Sequence, residues 1–214
     1  MNGDRPDARE MRREIESCLA SQVSLSEFLR RVDPVEPARP SALPGWSLGH
    51  VLTHIARNAD GIISMLDGFP QYPHGVDGRN GDIEAGSRRA WSELVEDVVS
   101  TSAALDVRLS EEGVDWSGTV TMLPGVRPKA SVPLIRQREV EVHRADLLLG
   151  YGFADMPSDY VRRDLRVMGM LWTARQPMGM TALPEAALAL DPATRLSWMM
   201  GRIEIDGLQP ATLF

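Results

Sequence analysis

The chain has 214 residues, 43% of them hydrophobic and 25% charged, with a formal net charge of -7. That is enough for one sizeable globular domain, or one with a small appendage. An acidic balance without a basic stripe excludes a general nucleic-acid binder. No run of about 18 apolar residues is present to span a membrane, and the opening MNGDRPDAREMRRE lacks the apolar core of a signal peptide, so residence in the cytoplasm is expected.

Met11, Ile15, Cys18, Leu25, Leu29 and Val32 repeat with helical spacing and predict an amphipathic helix over residues 7–32. Cys18, the only cysteine, falls on that stripe. It excludes an internal disulfide or a cysteine-based zinc knuckle, and it reads as a buried, inert thiol, because a reactive one needs an exposed electropositive setting. Residues 33–44, DPVEPARPSALP, are too rich in proline for a helix interior and form a connector. A second helix is predicted from Ser47, its N-cap, to Leu66, with Leu48, Leu52, Ile55, Ala59, Ile62 and Leu66 on the apolar face. Residues 68–81 read as a Gly/Pro-rich loop carrying His74 and Arg79.

A third helix is expected over Ile83–Ser110, turning Trp91, Leu94, Val98 and Leu105 inward, and then irregular chain over residues 113–130 with a short strand at Thr119–Met122. A fourth helix is predicted over residues 131–149, a fifth over 158–176 and a short one near 192–200, with one or two short strands in the tail. The expected architecture is therefore mainly α, a four-helix bundle over residues 1–176 and a small α/β-like extension over 177–214, with Leu29, Leu52, Ile55, Leu94 and Leu148 in the core.

Two predicted helices carry paired polar residues one turn apart. His50 and His54 stand in PGWSLGHVLTHIARNADG, and Glu139 and His143 in RQREVEVHRADLLLGY, where Asp146 extends the row. Residues four apart share a helix face. Imidazole with carboxylate is a ligand set for zinc or a similar ion, and bundle interiors are common homes for one. Spacing leaves a plainer reading open, in which His54 is a hydrogen-bonded core histidine and Glu139–His143 an intrahelical pair. His74, in its loop, reads as solvated.

These two segments, with IEAGSRRAWSELVEDV and DPATRLSWMMGR, follow one another in an order that resembles the mycothiol-dependent maleylpyruvate isomerase family, a branch of the DinB-like four-helix-bundle metalloproteins. The resemblance covers most of the chain. It implies a divalent metal, usually zinc, on His54, Glu139 and His143, with mycothiol as a second cofactor. It sets His50 beside the site, facing substrate or supporting a ligand, Asp146 as a residue that orients a ligand or holds the helix, and Asn58 and Arg79 toward the thiol cofactor. Arg202, in WMMGR, is expected to meet an anionic substrate group. The family's C-terminal α/β subdomain looks abbreviated.

Three protein ligands leave a tetrahedral ion one open position. The resemblance implies that the thiol of mycothiol fills it. A free thiol has a pKa of about 8.5, and a bound dication deprotonates it. The thiolate can then add to a conjugated cis double bond and leave after rotation, a maleylpyruvate-type isomerisation, or stay attached to an electrophile, an S-transfer. Two further readings are weaker: a non-catalytic DinB-like metal- or ligand-binding module of the stress response, and a hydrolase using metal-activated water, for which no added carboxylate is placed as base. The expected partners are a small thiol and a small electrophile, with no nucleic acid and no membrane, in a monomer or homodimer.

Overall fold

The structure, a computed structural model, describes residues 7–123, 125–175 and 181–211. They form two compact units that divide after Leu147, earlier than the boundary at 176/177 expected from the sequence. The fifth expected helix thus belongs to the second unit.

The first unit is a bundle of α1 (Ala8–Arg31), α2 (Leu48–Leu66), α4 (Trp91–Ser110) and α5 (Val132–Asp146), with α3 (Gly75–Gly86) laid beside α2. α1 packs on α4 and α5, and α2 packs on the same two helices. The Asp7 side chain caps α1 by accepting from the Arg9 amide at 2.7 Å. The seven-residue step in its apolar stripe is filled by the buried polar residues Ser21 and Gln22. α2 is buried on most of its circumference, as expected of a helix packed against three others. Its N-terminus is closed by a reciprocal cap between Ser47 and His50.

The helix expected over Ile83–Ser110 is two helices. Residues 75–81, read as loop, already belong to α3, and the chain breaks at 87–90 before α4. Ala90 is extended there, and its amide donates to Glu93 Oε2 at 2.9 Å. Two glycines permit the break. A Cβ on Gly49 would overlap the Ser87 carbonyl, and one on Gly86 would lie 2.5 Å from Thr53 Cγ2, so the α3–α4 turn can press onto α2 only because both side chains are missing.

The strand expected at Thr119–Met122 is β1, and it pairs antiparallel with β2 (Gly125–Pro128), a stretch read as irregular. Of the expected core, Leu29, Leu52, Ile55 and Leu94 are buried, but Leu148 is 55% exposed. α5 ends at Asp146, and Leu148 takes the left-handed conformation at φ 56°, which leaves Leu147 as the core residue.

The second unit holds α6 (Ser158–Ala174), α7 (Glu185–Leu188) and α8 (Pro192–Met199). Residue 176, the last of the expected fifth helix, lies outside the described residues. α8 starts on Asp191, which accepts from the amides of Ala193 and Thr194. Trp172 of α6 and Trp198 of α8 pack with ring centroids 5.3 Å apart. Among the described residues this unit has no strand, so the expected α/β character is replaced by helices and turns.

Candidate metal centre

His54 sits on α2 between core residues and is 6% exposed. Across the bundle, Glu139 and His143 lie one turn apart on α5. Glu139 Oε2 is 2.8 Å from His54 Nε2 and 3.4 Å from His143 Nε2, and the two imidazoles meet edge to face with centroids 4.6 Å apart. Among the described residues these three form the one group of potential ligands that converges, with one donor atom each and all within 4.8 Å of one another. The i,i+4 spacing of Glu139 and His143 reflects this, since both side chains point into one layer of the bundle, whereas His50, four residues before His54, does not join it.

Protons fill this layer in the absence of a cation. Burial opposes the charge of Glu139, but hydrogen bonds from His143 and His54 outweigh it and hold the carboxyl well below its ordinary range. Burial likewise disfavours charged His143, yet Asp146 and Glu139 together raise its pKa to about 9. Burial lowers His54, the partial opposition of Glu139 notwithstanding. The resting layer is therefore an anion at Glu139, a cation at His143 and a neutral His54. A divalent ion fits where the His143 proton lies, since the donor set is two imidazoles and a carboxylate. Asp146, 1% exposed, accepts from His143 Nδ1 at 2.8 Å and so leaves Nε2 facing the other ligands.

The remaining expected site residues divide. Arg79, on α3, places Nη2 2.9 Å from His54 Nδ1 and its guanidinium over Trp46. Asn58 is buried with its Oδ1 accepting from Arg136 Nη1 at 2.9 Å. His50 is committed elsewhere: its Nδ1 accepts from the Ser47 amide at 3.2 Å, and its Nε2 meets Glu84 Oε2 at 3.0 Å. It caps α2 and tethers α3. Arg202 lies in the second unit, where its Nη1 donates to the Met200 carbonyl at 2.6 Å.

Two residues escaped the sequence reading. Tyr72 shares hydrogen bonds with Arg79 and Asn58, and burial raises its pKa, so it is a neutral phenol beside the site. It also walls a cavity of about 530 Å³ with Met65, Phe69, Val120 and Met122. Its ring lies against α2 at Gly61, where a Cβ would be 3.1 Å from Tyr72 Cε1. Trp46 packs on both His54 and His50, with centroids at 5.5 and 6.2 Å. Tyr72 has no local signal beyond the PQYP punctuation, whereas Trp46 lay inside the quoted histidine segment.

Fold and geometry define a class: a helical bundle with three convergent metal-type ligands on two facing helices. Residues 18–148 match the family described as the mycothiol maleylpyruvate isomerase N-terminal domain, and the chain belongs to that family. Two solved structures share the fold, a mycothiol-dependent maleylpyruvate isomerase and a histidine-to-alanine mutant of the same enzyme. Each is 23% identical, with a TM-score of 0.76 over 90% of this chain and 89% of its own. The bundle is thus DinB-like. No curated protein matches the chain.

Proposed function

We propose that this protein is a metal-dependent isomerase that uses the thiol of mycothiol on a maleylpyruvate-type cis-unsaturated keto acid. The observation that carries the reading is the convergence of His54, Glu139 and His143 in a chain of this family. Zinc suits the ligands, which would leave it one position for an exogenous thiol. When bound, the ion supplies positive charge that favours the thiolate over the thiol.

The chain's own residues do the rest. Asp146 keeps the proton on His143 Nδ1, so that deprotonation of the imidazolium frees Nε2, and Glu139 balances charge between the two imidazoles. Tyr72 offers a neutral hydroxyl at the rim and also lines an open, largely apolar cavity. The chain's one thiol cannot serve as the nucleophile, because Cys18 is fully buried among Ala59, Ile62 and Leu105. A borrowed thiol is consistent with that burial. Asn58 toward the cofactor, Arg202 toward an anionic group and residence in the cytoplasm belong to the same proposal. S-transfer would use the same layer, with the acceptor retaining the thiol.

The test is turnover of a cis-dioxo acid by zinc-loaded protein with and without mycothiol, followed by ultraviolet absorbance and product analysis. Isomerisation that needs both zinc and thiol supports the reading. A stable thioether product would establish S-transfer instead, and equal rates without thiol would overturn both.

A further inference from the structure

The two ligand histidines meet opposite kinds of partner at Nδ1, an acceptor at His143 and a donor at His54. His143 Nδ1 faces the Asp146 carboxylate, which can only accept, so Nδ1 keeps its proton, and when the imidazolium gives up its second proton it is Nε2 that gains a lone pair to offer. His54 Nδ1 faces Arg79 Nη2 at 2.9 Å, and a guanidinium can only donate. Nδ1 must therefore be the acceptor. The proton of neutral His54 is on Nε2, where it donates to Glu139 Oε2 at 2.8 Å.

We propose that Arg79 is displaced from His54 when metal binds, and that the released guanidinium becomes the receptor for a carboxylate of the electrophilic substrate. This rests on the reading of His54 as a metal ligand. Coordination through Nε2 needs the lone pair that the proton now occupies. Once that proton moves to Nδ1, an N–H would point at an N–H, and the Arg79 contact cannot persist. Ligating histidines ordinarily donate from their second nitrogen, as His143 does; His54 can do so only after Arg79 leaves.

The surroundings permit the move. Arg79 has no carboxylate within ion-pair distance among the described residues, so its charge is not already neutralised. Its helix, α3, buries only Ile83 and contains Gly75, Gly78, Gly81 and Gly86, which lower the cost of shifting it. Trp46, Tyr72 and the Asn80 side chain keep the guanidinium at the rim. A planar fork of donors there matches a carboxylate. The inference assigns Arg79 to the acid end of the substrate, whereas the sequence pointed to the thiol cofactor.

The experiment uses ¹⁵N-histidine-labelled full chain titrated with zinc, then with maleate as a dicarboxylate probe, in wild type and Arg79→Ala. Zinc should convert His54 Nδ1 from an acceptor-type to a protonated nitrogen resonance. Arg79→Ala should bind zinc roughly threefold or more tightly, because the competing hydrogen bond is gone. A residue that merely supports the ligand would instead weaken zinc about 10- to 100-fold when removed. Maleate should bind the zinc-loaded wild type at least about tenfold better than the metal-free form, an advantage that Arg79→Ala loses. Zinc binding with an unchanged His54 resonance, or a weaker zinc complex in Arg79→Ala, overturns the inference and leaves the isomerase reading standing. Failure of wild type to bind zinc removes both.

Discussion

Arg136 and Glu139 lie one turn apart on α5 and anchor two polar layers of the same bundle, built on different principles. The Arg136 guanidinium is fully buried. It donates to Gln22 on α1, to the Ile55 carbonyl and Asn58 on α2, and to Ser102 on α4. One side chain thus ties the other three bundle helices to α5, with each bond answered. In the Glu139 layer a single carboxylate oxygen faces two imidazole nitrogens, a donor set that can hold protons and, in the proposed function, a cation in their place. Complete bonding fixes a position; incomplete bonding leaves chemistry available. The first layer also serves the second, since Ile55, whose carbonyl Arg136 holds, is the neighbour of His54.

The sharpest way to break this contrast is to remove ligands. His54→Ala and His143→Ala should each lower zinc affinity by more than about 100-fold, beyond what loss of a supporting residue does, and abolish isomerisation. Metal analysis after dialysis with thiol-dependent turnover checks both. Wild-type zinc content in the two variants would make the layer an ordinary polar contact. Next in size is Arg136→Met, which strips a buried charge from all of its partners. It should cost about 3–5 kcal/mol in urea unfolding. A loss below about 1 kcal/mol would mean that the closed layer is not what fixes the helices.

Titration sharpens the comparison further, because the layers respond in separate windows. His143 is raised from 6.5 to about 9 in the folded chain. A raised folded pKa gives stability that is complete below the unfolded value and lost as pH climbs through the folded one. Metal-free protein should therefore lose up to ~3 kcal/mol between pH 6.5 and 9, while zinc-loaded protein, which lacks that proton, should not. Zinc affinity should rise over the same span and flatten above it. Asp106, hydrogen-bonded by Gln22 at the edge of the Arg136 layer, is raised by burial from 3.8 to about 6. Its contribution is present below 3.8 and gone above about 6. Asp106→Asn should flatten that lower window alone. Urea midpoints from pH 4 to 9, with and without zinc, separate the two.

The Glu139–His143 pair was legible because i,i+4 spacing is local, written within five residues, whereas the choice of His54 as its third candidate ligand came only from the family resemblance, since spacing paired His54 with His50. The stripes of α1 and α2 were legible through local spacing too. α3 was not, since one buried residue and four glycines make no periodic face, and what holds it is contact with α2 through missing side chains at Gly49 and Gly86. Arg136 gave no signal either, because its partners come from three other helices. His50 had the spacing of a site residue and the bonding of a cap; the Ser47 pairing that captures it is itself local and could have been weighed against its expected place beside the site. Leu148 shows the limit of periodicity at a helix end, where a change to left-handed backbone turns the next apolar residue outward.

The smallest expected effect tests whether the thiol of the reaction is borrowed. Cys18 is buried in an apolar cluster with Ala59, Ile62, Met65 and Leu109, on the α1 stripe that also carries Gln22 of the closed layer. Its burial argues for packing, since a nucleophilic thiolate needs access and a site that favours its charge. Cys18→Ala removes one sulfur from that cluster and leaves a small void, for a cost on the order of 1 kcal/mol. Zinc content and thiol-dependent turnover should remain near wild type, because Arg136 keeps its bonds to Gln22, Ile55, Asn58 and Ser102 and the Glu139 layer keeps all three of its members. Thermal or urea unfolding gives the first quantity and the isomerase assay the second. If Cys18→Ala stays folded with full zinc yet turns over nothing, the nucleophile belongs to the chain, and the open position at His54, Glu139 and His143 serves some purpose other than holding an external thiol.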